Sequence, residues 1–192
     1  MSTTSLDPGR TALLVMDLQA DVVARFPDGS AALLERTASL IASARAARVP
    51  VIYVVVGFRP GYPEVSPRNQ SFSAVTATGM FTASPPGADI VPAVRPQPAD
   101  VIVVKHRVSA FAGTDLDMVL RARGVDTLVL TGLATSGVVL STVRHGADAD
   151  YRLVVVADCC GDGDDEVHRV LTEKVFVRQA SVVRARDLAF QA

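Results

Sequence analysis

The chain has 192 residues, with 19 Lys+Arg against 20 Asp+Glu and a formal net charge of -1. That length holds one sizeable core, so a single domain over 1–192 is expected, and a balanced charge offers no electrostatic basis for a nucleic acid or an anionic membrane as partner. No apolar run approaches the roughly 18 residues a membrane-spanning helix needs, and Met1 to Arg10 has neither a basic nor an apolar leader region, so the expectation is a cytoplasmic protein acting on a small molecule.

Hydrophobic residues make up 49% of the chain, but aromatics only 5%, and Trp is absent. A core of Val, Leu and Ala is what a sheet covered by helices on both faces uses. Taken in chain order, continuous apolar runs predict strands at 11–16, 51–56, 101–104, 127–131, 152–157 and, more weakly, 181–183. Between them, Leu33, Leu34, Leu40, Ile41 and Ala44 mark a helix over 30–47, stopped by Arg48-Val49-Pro50. Leu116, Val119, Leu120 and Arg123 mark a second helix ending at Gly124. Val139, Thr142, Val143 and Gly146 mark a third, and Val167, Val170, Leu171 and Lys174 a fourth. Strand and helix alternate throughout. This predicts a doubly wound α/β fold, with a mostly parallel six-stranded sheet sandwiched between helices. The stretch 57–99, rich in Gly, Pro, Ser and Asn, is too long for an ordinary connection and reads as a pocket-covering excursion with one short helix.

Two of these strands finish on opposite charges. Asp17 follows Thr11 to Met16, and Lys105 follows Val101 to Val104. A buried strand that ends on a charge does so at the ligand-facing edge of a parallel sheet, so Asp17 and Lys105 are the candidate catalytic pair. After the next strand comes Gly132-Leu-Ala-Thr-Ser-Gly-Val-Val-Leu-Ser-Thr142. Asp17-Leu-Gln19, Lys105 with Ser109-Ala-Phe111 and Thr114-Asp-Leu116, then Gly132-Leu-Ala-Thr135, Val139 and Thr142, and finally Asp158 with Cys160, together resemble the isochorismatase-like hydrolases over residues 11–160.

No Gly-x-Gly-x-x-Gly or P-loop follows the first strand, and no cofactor is expected. The resemblance implies the family's three-layer sandwich and a homo-oligomer (dimer or larger). It assigns Asp17 as the proton-handling carboxylate, Lys105 as the ammonium that polarises the site, and the backbone amides of Ala134 and Val138 as an oxyanion hole. It makes Leu133–Ala134 the candidate for a cis peptide. Gln19, Phe111, Thr135 and Ser136 become the expected pocket residues, although Gln19 could equally cap its own turn. Amidohydrolase members carry a nucleophilic cysteine where this chain has Val138. Valine cannot attack a carbonyl. Isochorismatases resemble the same pattern without the cysteine and hydrolyse a vinyl ether by protonation at carbon, a route that needs a carboxyl with a raised pKa.

Three readings follow: a hydrolase using Asp17, Lys105 and water, with vinyl-ether hydrolysis as the fitting reaction; a noncatalytic paralogue that binds a metabolite or assembles with a partner; and an amidohydrolase whose thiol comes from Cys159 or Cys160. Ser136 lies outside any Gly-x-Ser-x-Gly elbow, and no base follows it at a recognisable place. His106, His145 and His168 show no metal spacing, and 57–64 lacks the His residues that nicotinamidases use there, so no metal is expected. Arg59 and Arg68 could hold a substrate carboxylate or simply face solvent. The acidic run from Asp158 to Glu166 lacks a calcium loop's glycine and reads as a solvated turn.

Overall fold

The computed structural model describes residues 3–26, 30–82 and 89–191. In chain order the elements are β1 (Thr4–Leu6), β2 (Thr11–Met16), α1 (Ala20–Val23), α2 (Ser30–Ala46), β3 (Val51–Val56), α3 (Gln70–Thr76), β4 (Val101–Lys105) and α4 (Leu116–Ala122). These are followed by β5 (Thr127–Leu133), a π-type turn (Thr135–Val139), α5 (Leu140–Asp148), β6 (Arg152–Gly161), α6 (Asp165–Val170), β7 (Ser181–Val183) and β8 (Leu188–Phe190). Six strands form one parallel sheet in the order β4-β3-β2-β5-β6-β7. Strand order reverses between β2 and β5, so their carboxyl ends open the crevice in which such sheets bind ligands.

Both faces of the sheet are dry, which is why its central strands read as unbroken apolar runs. Leu14, Met16, Ile52, Val54, Leu128 and Leu130 face α4 and α5, whose Leu116, Leu120 and Val143 close that side. Leu13, Val15, Tyr53, Val55 and Val129 face Leu33, Leu40, Ile41 and Ala44 of α2. The excursion after β3 carries a small core of its own, with Phe58, Phe72, Val75 and Phe81 gathered around Val56. Its helix is α3, capped by the Asn69 side chain accepting from the Phe72 amide. Part of this excursion, 83–88, lies outside the described residues.

The parallel six-stranded sheet with helices on both faces is as expected, and two details depart from the sequence reading. The fifth predicted strand continues past 157 to Gly161, because the pairing with β5 slips: Leu130 pairs Val155 but Gly132 pairs Cys160. This irregularity lets Asp158 and both cysteines lie inside a strand. A separate two-stranded parallel sheet, β1 with β8, ties the amino-terminal segment to the carboxyl-terminal one through Thr4–Leu188 and Leu6–Phe190 pairing. At three residues each, these strands have no periodicity to read.

Gly132 decides how closely β5 approaches β2. Its φ is 135°, and a Cβ built there would lie 2.0 Å from the Met16 carbonyl oxygen. Only glycine permits both the conformation and the contact. Gly132→Ala is therefore expected to cost about 3 kcal/mol or more, from backbone strain and overpacking combined. Urea denaturation against the parent chain measures it; a loss below about 1 kcal/mol would show that the β2–β5 approach tolerates a methyl group.

Candidate active site

Asp17 is the first residue beyond β2. Its φ of 55° turns the chain out of the sheet, while its amide still donates to the Val54 carbonyl at 2.8 Å. Lys105 is the last residue of β4, two strands away, so the pair must reach across β3, roughly 9.6 Å at ordinary strand spacing. The reach is made: Nζ of Lys105 lies 2.9 Å from Oδ2 of Asp17 and also donates to the Arg107 carbonyl at 3.1 Å. Lys105 is 2% exposed and Asp17 7%.

The two carboxylate oxygens of Asp17 are not equivalent. Oδ2 holds the lysine, whereas Oδ1 is buried and meets no hydrogen-bond partner among the described residues. Burial pushes the Asp17 carboxyl above the ordinary aspartate range, outweighing the charge and hydrogen bond of Lys105, which act the other way.

The turn after β5 brings in the third side of the site. Gly132 pairs with Met16, so the residues beyond it emerge beside Asp17. The peptide joining Leu133 to Ala134 is cis. Ala134 caps the π-type turn, its carbonyl accepting from Gly137 at 3.1 Å and from Val139 at 3.3 Å. The amides of Ala134 and Val138 thus bracket the first residues of this turn. Gly137 lies against Ala134 and Val108, and the Thr142 hydroxyl accepts from the Ala110 amide at 3.2 Å, which ties the turn and α5 to the loop leaving Lys105. Val138 is 1% exposed, an apolar side chain where the resemblance places a nucleophile.

Three of the expected pocket residues are otherwise engaged. Gln19 is 2% exposed and its amide is consumed by the fold: Oε1 accepts from the Val56 amide at 2.8 Å, and Nε2 donates to the Val56 carbonyl at 3.0 Å and to Asp89 Oδ2 at 2.7 Å. The kink at Asp17 takes the β2 backbone away from β3, and the Gln19 side chain replaces it as Val56's partner. Asp89 in turn holds the returning end of the excursion, where Gln19 bridges Ile90. Phe111 stacks on His145, ring centroids 4.6 Å apart and nearly parallel, with Tyr151 at 5.8 Å, so its ring packs under α5. Thr135 is wholly buried, its hydroxyl turned toward Gly161 and His168. Ser136 alone of the four is exposed, with its amide donating to Asp162 Oδ2 at 2.6 Å.

The remaining candidates make no hydrogen bond or ion pair with the Asp17 and Lys105 side chains among the described residues. Cys159 and Cys160 are free, buried, and on opposite faces of the sheet. Burial pushes the Cys159 thiol up to about 11 and raises Cys160 further still. His106 contacts the Gly57 carbonyl, Arg59 is engaged by Glu64, and Arg68 is exposed. One residue was weighed in the sequence only as a metal ligand. His168, in α6, reaches the turn through Thr135 at 2.8 Å. The available signal was its place near the amino end of a helix following a parallel strand, an end that faces the same edge of the sheet as Asp17 and Lys105.

A family model described as the isochorismatase domain matches residues 11–187. The chain belongs to the isochorismatase family. A ureidoacrylate amidohydrolase from Methylobacterium radiotolerans is 34% identical over 187 residues, covering 86% of this chain and 72% of that one. A cysteine hydrolase from Pseudomonas syringae pv. phaseolicola superposes with a TM-score of 0.87 at 27% identity, over 95% of this chain and 92% of that one. N-carbamoylsarcosine amidase from Thermoplasma acidophilum gives 0.73 at 27%, over 92% and 96%. As a hydrolase of this family, the chain keeps the acid and ammonium in one ion pair and has a valine at position 138.

Lys105→Met tests how the pair is held together. Without the ammonium, Asp17 must stay buried unpaired or take up a proton, so the variant should lose about 3 kcal/mol or more at about pH 8. Its raised carboxyl pKa means that stability is retained below the unfolded value and lost as pH rises through the folded one, so the deficit should shrink toward about pH 5. Equal deficits at both pH values would mean that removing the ammonium leaves the ionisation of Asp17 unchanged.

Proposed function

We propose that the chain hydrolyses a small molecule with Asp17 as the proton-handling group, Lys105 as its electrostatic partner and water as nucleophile, and that a vinyl ether is the substrate class. The observation that carries this reading is the buried, unpaired Oδ1 of Asp17 beside an Oδ2 held by Lys105. A carboxyl with one oxygen anchored and the other free, its pKa raised by burial, can hold a proton on the free oxygen and deliver it in a defined direction.

The steps balance with water alone. Asp17 O–H gives its proton to the terminal carbon of the enol ether, whose double-bond electrons form the new C–H bond. The ether-bearing carbon becomes an oxocarbenium ion, and Lys105 keeps the carboxylate left behind paired. Water adds to that carbon and returns a proton to Asp17; the hemiketal then collapses to a ketone and an alcohol. Val138 suits this route, since no covalent intermediate is required.

Relatives named for ureidoacrylate and N-carbamoylsarcosine make ureides and amides the competing substrates. Purified protein incubated with isochorismate, ureides and simple amides, with Asp17→Asn as control, separates the readings. Vinyl-ether turnover in heavy water should place one deuterium on the carbon that was protonated, and Asp17→Asn should lower kcat by about a thousandfold or more. Because the acid form of Asp17 acts, the rate should fall as pH rises through its raised pKa. Turnover of ureides alone would overturn the vinyl-ether assignment, and ligand binding without any turnover would favour a binding paralogue.

The thiol route has a separate test. Cys159 and Cys160 are buried with raised pKa values, which keeps them protonated and weakly nucleophilic near neutral pH. Iodoacetamide treatment of the folded protein should leave turnover intact. Inactivation that tracks modification of either cysteine would support a relocated nucleophile.

A further inference from the structure

We infer that His168 is a positioning residue for the turn that presents the Ala134 and Val138 amides, acting through the buried hydroxyl of Thr135. This rests on the reading of that turn as part of the catalytic site. Thr135 immediately follows Ala134, and its Oγ1 lies 2.9 Å from the Gly161 carbonyl oxygen and 2.8 Å from Nδ1 of His168. A hydroxyl has one hydrogen, and a carbonyl oxygen can only accept. Both contacts are satisfied together in one way: Thr135 donates to Gly161, and His168 donates from Nδ1–H to Thr135. The hydrogen count therefore assigns the Nδ1–H tautomer to the neutral ring. Protonation at Nε2 leaves that donor in place.

The anchor is itself well held. Asp164 caps α6, its carboxylate accepting from the amides of Glu166 at 2.8 Å and Val167 at 3.2 Å, and its carbonyl accepts from the His168 amide at 3.0 Å. Thr172 donates back to the His168 carbonyl at 2.8 Å. A second grip comes from the loop that leads into α6, because Asp162 accepts from the Ser136 amide with one oxygen and from the Gly163 amide with the other. Two adjacent residues of the turn are thus fastened to the stretch that runs from the end of β6 into α6, one through a side chain and one through backbone. His168 also lines a cavity of about 160 Å³ with Leu133, Gly161 and Asp162. Removing its ring enlarges an existing space beside the turn, so the fold should survive while the turn loses one fastening.

The test compares His168→Ala with His168→Asn, whose side-chain amide nitrogen can occupy the place of Nδ1 and donate without titrating. With the substrate identified from the panel above, His168→Ala should lower kcat roughly ten- to hundredfold, as for loss of an outer partner that orients a reacting group, while KM stays within about twofold. His168→Asn should recover most of that loss and keep the parent pH profile. An Asn variant as slow as Ala, or one with a displaced pH limb, would make His168 a proton-transfer group instead and overturn the inference, as would an Ala variant with parent kcat. Long-range proton–nitrogen NMR of the parent protein without substrate reads the tautomer directly. Nδ1–H is expected and Nε2–H contradicts the assignment, whether or not any substrate is turned over.

Discussion

An ammonium and a carboxylate placed in a dry interior by strands that are not neighbours constrain most of what surrounds them. Each charge alone would be expensive to bury, so the two must meet, and Lys105 meets Asp17 at 2.9 Å across the intervening strand β3. Meeting uses only half of the carboxylate. Oδ1, unpaired among the described residues, remains out of water, and burial raises the carboxyl pKa despite the lysine beside it. A structural ion pair would be expected to satisfy both oxygens; this one leaves Oδ1 without a partner among the described residues, at the carboxyl edge of the sheet.

The surrounding fold is arranged to keep that geometry. Asp17 leaves the plane of the sheet in a left-handed conformation, which would strand the end of β3, and Gln19 repairs the gap by offering its side-chain amide to both the donor and the acceptor of Val56. Gly132 lets β5 come against the Met16 carbonyl, so that the turn from Ala134 to Val138 starts at the reversal of strand order. His168 and Asp162 fasten that turn from the far side. Asp89 joins the same system by holding the end of the excursion to Gln19, so that the covering loop and the carboxylate turn share one anchor.

The sheet was legible because strands buried on both faces are written as uninterrupted Val, Ile and Leu, and β2 and β3 match their apolar runs end to end. The meeting of Asp17 and Lys105 was legible for a related reason, since a charge that terminates such a run has few places to go except the ligand edge. What could not be read is what depends on hydrogen-bond partners distant in sequence. Gln19 and Thr135 look like pocket residues by type and position, but both are spent on backbone groups whose need arises only once the strands are assembled. Phe111 was readable as buried but not as stacked on His145, a contact between separate elements. His168 is 33 residues from Thr135, and nothing local to either announces the pairing. The slip between β5 and β6 belongs to the same class, because register is decided by both strands together.

The most direct test of this account is a carbon-13 NMR titration of the Asp17 side-chain carboxyl in the folded protein. The expected midpoint lies clearly above the ordinary aspartate value of about 3.9 and moves further upward in Lys105→Met. A midpoint at or below that value would mean that the lysine outweighs burial, leaving Asp17 a permanently ionised structural partner and removing the proton donor on which the proposed hydrolysis depends.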